Sequence, residues 1–246
     1  MKPAKARKPA AKPAKRPAVM TGAAIPVLRW PPDEDRVEAI FERLSGVMPE
    51  PKTELDFSNP FTLVVAVALS AQATDVSVNK ATERLFKVAD TPEKMLALGE
   101  EGLIPYIASI GLYRGKARNV IALSRIVLEQ HGGEVPLNRA DLQALPGVGR
   151  KTASVVLNEL GIEAAIAVDT HVFRVSHRLG LANAGTPDKV EAQLFKVVPE
   201  DWLPKAHHWL ILHGRYTCTA RKPKCLSCII ADLCPSRAGL MALGEA

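Results

Sequence analysis

Apolar and polar positions alternate with a helical period along almost the whole of this 246-residue chain. Between Asp33 and Met48, the residues Val37, Ile40, Phe41 and Leu44 fall at i, i+3, i+4 and i+7, which predicts one helix with a single buried stripe. Ser58-Asn59-Pro60 places cap residues before a proline in a first turn, a start signal. The run after it, FTLVVAVALSA, is apolar on nearly every side and predicts a helix enclosed by others. Asp75, Thr91 and Thr186-Pro187 supply further starts, and Gly111, Gly132-Gly133, Gly161 and Gly180 supply stops. No clear two-residue period appears, so the expected fold class is all-α.

Composition agrees. Hydrophobic residues make up 47% of the chain and aromatics only 5%, a mixture dominated by Ala, Leu and Val that suits helices better than sheets. The length allows one or two domains. The longest apolar stretch, Phe61 to Leu69, is far short of the roughly 20 residues of a membrane span. The net charge of +6 is less informative than it looks. Seven of the 32 basic residues, and no acid, lie in the first 20 positions, leaving 25 basic against 26 acidic residues over 21–246. Bulk charge therefore does not argue for nucleic acid, and any such face must come from local clustering. The tail that holds those seven cations repeats Lys, Pro and Ala; residues 1–29 are expected to be disordered. It lacks the apolar core of a secretory signal and the Arg/Ser-rich amphipathic pattern of a transit peptide. It reads either as a solubilising tail or as a non-specific phosphate-binding arm.

Three local patterns carry chemistry. In DLQALPGVGRKTASVVLNE (141–159), a short helix ends at Leu145, Gly147-Val148-Gly149 makes a tight turn, and a second helix begins near Arg150 with Ala153, Val156, Leu157 and Leu160 facing inward. Two glycines let a backbone approach closely or take positive φ, and the turn and helix N–H groups together suit a phosphate. An ordinary turn between helices is the plain alternative. Lys151 lies in the first turn of that second helix, where the partial positive charge disfavours an ammonium and a neutral amine becomes a good nucleophile for a sugar C1′. A lysine contacting phosphate is the competing reading. In IAVDTHVFRVSHR (166–178), Asp169 precedes a helical run and reads as its N-cap. The same carboxylate can stabilise positive charge at C1′ or act as a general base. His171 reads as a packed helix residue rather than a phosphate ligand.

The four cysteines, Cys218, Cys225, Cys228 and Cys234, follow C-x6-C-x2-C-x5-C within 17 residues. So tight a group points to a metal centre in a reducing compartment rather than to a disulfide framework. The donor set alone leaves zinc and a [4Fe–4S] cube both open. Arg221, Lys222 and Lys224 share the loop between the first two cysteines, with Pro223 stiffening it.

LSAQATD (69–75), GLYRGKA (111–117), LPGVGRKTA (145–153), VDTHVFRV (168–175) and LHGRYTC (212–218) together resemble the endonuclease III family of helix-hairpin-helix DNA glycosylases with AP lyase activity. The similarity runs from about Arg36 to Cys234. It implies base-excision repair of oxidised pyrimidines and abasic sites in double-stranded DNA, through an imine on Lys151 assisted by Asp169. It also implies that Gln72 and Leu112 enter the base stack, that Gly147, Val148 and Gly149 hold the backbone, and that Arg221, Lys222 and Lys224 meet phosphates. A [4Fe–4S] cluster is implied on the four cysteines. Adenine glycosylases of the same fold lack the lysine at this position, which favours the lyase-competent branch. A plain loop amide (Gln72) and a turn-anchoring core residue (Leu112) are the alternatives for the inserting pair.

The family fold implies two helical domains with a cleft between them. One spans 53–163, with the hairpin at about 139–158. The other joins 30–52 to 164–235 and carries the cluster, and 236–246 is expected to be a tail. A monomer of the cytoplasm and nucleoid is the expected form. A glycosylase without lyase action and a non-enzymatic hairpin protein are the rival functions.

Overall fold

The computed structural model describes residues 29–244, so the basic tail expected over 1–29 lies outside the described residues apart from Arg29. Among the described residues the chain forms eleven α-helices and two short 3-10 turns, with no strand. The helices are α1 (Glu34–Val47), α2 (Pro60–Ser70), α3 (Asp75–Leu85), α4 (Pro92–Ile107), α5 (Tyr113–His131), α6 (Arg139–Ala144), α7 (Arg150–Glu159), α8 (Thr170–Arg178), α9 (Pro187–Val197), α10 (Leu203–Tyr216) and α11 (Arg237–Gly244). None is long and apolar enough to cross a membrane.

Local chemistry sets most of the starts. Asp33 caps α1 by accepting from Arg36 N–H, and Thr74 and Thr91 do the same for α3 and α4. Asn59 and Thr62 form a reciprocal capping box at α2, with Pro60 at its first position. α5 ends at Gly132 in the left-handed conformation. Every residue of α2 from Phe61 to Leu69 is buried, as its unbroken apolar run predicts. α4 departs from a simple helix, because Gly99 at φ 67° breaks it in two.

The buried apolar side chains fall into two clusters. One runs from Leu55 to Leu157 and is built by α2 to α7 around α2. The other joins Val37, Ile40, Phe41 and Leu44 of α1 to side chains between Ile166 and Ile230. Polar contacts explain how α1 reaches across the sequence to this second cluster. Arg36 Nη1 donates to the carbonyls of Leu179 and Leu233, Arg43 pairs with Asp232 at 2.5 Å, and Trp209 Nε1 donates to Met48 O.

The last segment is a correction. Residues 236–246 read as a tail, yet Arg237 opens α11, and Leu240 is buried. Arg237 and Leu240 line the same small cavity as the four cysteines. A single apolar residue docked on the cysteine loop leaves too short a pattern to be seen as a helix in the sequence.

Candidate active site

Where the two clusters meet there is an open cavity of about 720 Å³, within the ~300–1,000 Å³ usual for small-molecule sites. Its walls come from both sides: the end of α2 and the loop after it, the first turn of α7, the first turn of α8, and α10. Lys151 and Asp169 both line it.

The two residues reach the cavity by the same device, a helix N-terminus. α7 begins at Arg150 with Gly149 as its cap and no side-chain cap bond, so its first amides stay free for an outside acceptor. Lys151 is exposed in that first turn. α8 is capped by Asp169, whose Oδ1 accepts from the N–H groups of His171 and Val172, both at 2.8 Å. Oδ2 takes part in neither bond. The capping role and the place on the cavity are therefore compatible.

The hairpin is more selective than the sequence suggests. Gly147 has φ 81°, and a Cβ there would stand 3.0 Å from that of Asn119. Gly149 differs, since a Cβ there would meet nothing within 4 Å in the protein. Val148 is the correction. Its side chain is buried in the first cluster, and its N–H donates to Leu145 O at 3.0 Å. The amides of the turn do not all point outward, and Val148 is a packing residue between two glycines.

Gln72 and Leu112 stand out by backbone geometry. They are the only described non-glycine residues with positive φ, at 56° and 60°, a left-handed conformation that is costly for such side chains. Leu112 is 68% exposed, which removes the alternative of a core anchor. The two loops lie side by side, because a Cβ on Gly111 would sit 4.0 Å from Gln72 O.

Several cavity residues escaped the sequence reading. His207 is 3% exposed, and its Nδ1 has no partner. Burial, then the neighbouring His208, Lys151 and Arg215, push its pKa down to about 3. His208 Nε2 lies 3.0 Å from Glu159 Oε2, linking α10 to the end of α7. Arg215 Nη1 reaches Asp75 Oδ2 at 2.5 Å and also Glu54, which in turn accepts from Tyr216. Burial acts to raise the Glu54 carboxyl, but the bonds from Tyr216 and Arg215 prevail and hold it below the ordinary range. The signal was present in the sequence as a His doublet and an Arg within an otherwise apolar run. His171 is half-buried, its Nδ1 lies 3.2 Å from Arg174, and it touches the cavity as well.

The four cysteines converge on one cavity, closed by Leu179, His213 and Leu240 among others. Burial raises the thiols of Cys225, Cys228 and Cys234, the last to about 11, so a metal is needed to stabilise four thiolates there. Buried Arg178 fixes the loop. Its guanidinium donates to the carbonyls of Cys218, Thr219 and Ala220 and to Cys218 Sγ at 3.3 Å. Four sulfurs around an apolar cavity, with a charged donor on one of them, fit an iron–sulfur cluster. Arg221, Lys222 and Lys224 are exposed on the same loop.

Comparison with known proteins agrees with this geometry. Residues 65–200 match the HhH-GPD superfamily of base excision DNA repair proteins, and residues 218–234 match the iron–sulfur binding domain of endonuclease III. Endonuclease III of Escherichia coli (strain K12) is 61% identical over 195 residues, 79% of this chain and 92% of the relative. That of Rickettsia conorii is 58% identical over 198 residues, 80% and 94%. Among solved structures, a trapped endonuclease III–DNA covalent intermediate superposes with TM-score 0.78 at 43% identity, covering 86% of this chain and 99% of that one. A non-covalent endonuclease III–DNA complex gives 0.79 at 42% identity, with the same coverage.

Proposed function

The chain belongs to the endonuclease III family, and on that premise we propose that Lys151 is its nucleophile, Asp169 its assisting carboxylate, and oxidised pyrimidines and abasic sites in duplex DNA its substrates. The protein is a DNA glycosylase and AP lyase of base-excision repair and carries a [4Fe–4S] cluster. One observation supports the assignment of roles most: two helix N-termini, from different apolar clusters, bring Lys151 and Asp169 to the same cavity.

The reaction follows from that placement. The damaged nucleotide leaves the stack, at lower cost than a sound base pair, and enters the cavity. Lys151 Nζ attacks C1′ through its lone pair; the glycosidic bond breaks, and the base departs with its electron pair and takes up a proton. Asp169 stabilises the positive charge on C1′ and receives the proton lost by the amine. The sugar ring opens to an imine. Asp169, having returned its proton to the ring oxygen as the ring opened, takes a proton from C2′, and the electron pair released expels the 3′ phosphate by β-elimination. Water hydrolyses the imine, freeing Lys151 and leaving an unsaturated aldehyde at one strand end and a 5′ phosphate at the other.

Gln72 and Leu112 fill the gap left by the flipped nucleotide, and their left-handed loops suit residues that must protrude. Gly147, Gly149 and the first amides of α7 hold a phosphate. Arg221, Lys222 and Lys224 meet further phosphates on a loop fixed by Arg178. The cluster, when bound, ties four thiolates into one cage and so sets the shape of that loop. The two apolar clusters are the cores of two domains, 53–163 and 30–52 with 164–235. The enzyme works as a monomer in the cytoplasm and nucleoid.

Borohydride tests the mechanism, because it reduces an imine to a permanent crosslink. The wild-type protein should be trapped on an abasic duplex. Lys151→Ala should give no crosslink and no strand cleavage while still binding the lesion. Trapping that survives Lys151→Ala would overturn the assignment.

A further inference from the structure

Lys116 lies on α5 one turn beyond Leu112, and its backbone N–H donates to Leu112 O at 3.1 Å. Long side chains on a helix lean toward its N-terminus, so this lysine extends back under the loop that carries Leu112. It is only 8% exposed, and its Nζ is buried with no hydrogen-bond partner. Burial pushes its pKa down from the ordinary lysine value.

The surroundings say what the cation is for. Lys116 lines a cavity of about 230 Å³ together with Gln72, Leu112, Asn119 and Gly147. Ala68 and Ala71, at the C-terminal end of α2, form another wall. No carboxylate lines this cavity. α2 is apolar along its length and has no basic residue in its last turn; Val67 O accepts from Ser70 Oγ and Ser70 O from Ala73 N–H, but no cation within the helix offsets the partial negative charge of its end. Directly after that end, the chain turns into the left-handed Gln72.

We propose that Lys116 is a positioning residue for base flipping, whose buried ammonium at the end of α2 holds the loops of Gln72 and Leu112 in the strained geometry that enters DNA. The proposal rests on the reading that these two residues insert into the stack. A lysine whose only task was to fill space would be better replaced by an apolar side chain, since a buried ammonium without a partner costs stability. Lys116 gives up that stability for charge at the junction of the two inserting loops and the hairpin. Its N–H groups are donors in reserve for the loop carbonyls as the loops close on the duplex.

Lys116→Met and Lys116→Arg in the full-length, cluster-loaded protein test this. Lys116→Met should melt at the same temperature as wild type or higher. Its kcat/KM on a duplex with an oxidised pyrimidine should fall at least tenfold, and Lys116→Arg should recover most of that loss. A 2-aminopurine next to the lesion should brighten on binding wild type and Lys116→Arg, and much less with Lys116→Met. Borohydride trapping on single-stranded abasic DNA, which has no stack to fill, should stay within twofold of wild type.

Parallel losses on duplex and single strand would overturn the proposal, as would a lower melting temperature for Lys116→Met. So would a drop of about 0.9 in the slope of log affinity against log salt, which marks a lost phosphate contact. Should wild type itself fail to be trapped, the imine mechanism fails. Normal duplex excision by Lys116→Met, with wild type trapped, removes only the role of Lys116.

Discussion

A histidine sealed beside Lys151, the proposed nucleophile, is best kept neutral, and His207 is placed so that it is. Its ring is 3% exposed, and burial, His208, Lys151 and Arg215 all oppose its protonation, with a pKa of about 3 as the result. A neutral ring leaves the cavity with one cation fewer beside the amine proposed as the nucleophile. The same shift makes His207 a stability element with a defined pH range. In the unfolded chain its pKa is about 6.5, so above that value both states are neutral and the stabilisation is complete. As pH falls from about 6.5 toward 3, the unfolded state takes up a proton that the folded state refuses, and stability is lost at up to about 1.4 kcal/mol per pH unit. Unfolding of wild type and His207→Gln by denaturant between pH 6 and 4.5 should show the wild-type slope steeper by roughly that amount. Equal slopes would mean that His207 titrates in the fold. Residues of this kind are hard to see in a sequence. Lys151 stood out because two glycines and a helix start sit beside it, all within a few positions. His207 becomes special only when α10 is packed against α7 and α8; the local His doublet marks the position but not the burial or the neighbours that give it its role.

At the scale of elements, two glycines do opposite jobs and can be told apart by what a methyl group would touch. Gly214 lies inside α10, where it crosses α8. A Cβ there would stand 3.0 Å from His171 Cβ and from Val175 Cγ2, and 3.4 Å from His171 O. Alanine would gain up to ~1 kcal/mol of helix propensity. Overpacking of ~1–3 kcal/mol opposes it. Relief would require α8 to move as a whole, and Asp169 caps that helix. Gly214→Ala should therefore destabilise the protein by about 1 kcal/mol and shift Asp169, lowering kcat more than binding. Gly149 has open space where its Cβ would be and an ordinary negative φ of −85°. Gly149→Ala should leave the melting temperature within about a degree while weakening DNA affinity, because the crowding arises only when a backbone phosphate arrives. Calorimetry and titration of both variants with abasic duplex check the contrast, and a stability loss at Gly149 would refute it. Helices themselves were the most legible feature of the sequence. The stripe Val37, Ile40, Phe41, Leu44 and the Ser58-Asn59-Pro60 start define α1 and α2 almost to the residue, and Thr91 marks the start of α4, whose break at Gly99 the sequence pattern does not show. α11 was missed, since its reason to be helical is a cavity wall built by residues distant in sequence.

For the whole molecule, the question is why two apolar cores behave as one enzyme. The chain passes between them only twice, near residue 53 and near residue 163, so much of the coupling comes from polar contacts across the cavity. Arg215 of α10 grips Asp75 and Glu54, Tyr216 reaches Glu54, His208 meets Glu159, and Arg150 pairs with Glu191 at 2.7 Å. Patterns of apolar residues predict cores but not such bridges, because each bridge joins residues tens to more than a hundred positions apart. Arg215 is the member that matters most, as Asp75 directly follows the loop carrying Gln72. Its two partly buried partners, Glu54 and Asp75, would be left with unpaired charge if it were removed. The wild-type protein should unfold in one transition, the two apolar clusters melting together. Arg215→Leu should cost about 1–3 kcal/mol, reduced from the value for a fully buried pair by the partial exposure of both carboxylates. Combined with Glu159→Leu, it should split the transition in two, the first apolar cluster and the second, with its cysteine loop, melting separately by calorimetry and by the iron–sulfur absorbance. A double variant that still melts in one step would mean that apolar contacts suffice to couple the cores, and the polar bridges would then serve only to position the loop that carries Gln72.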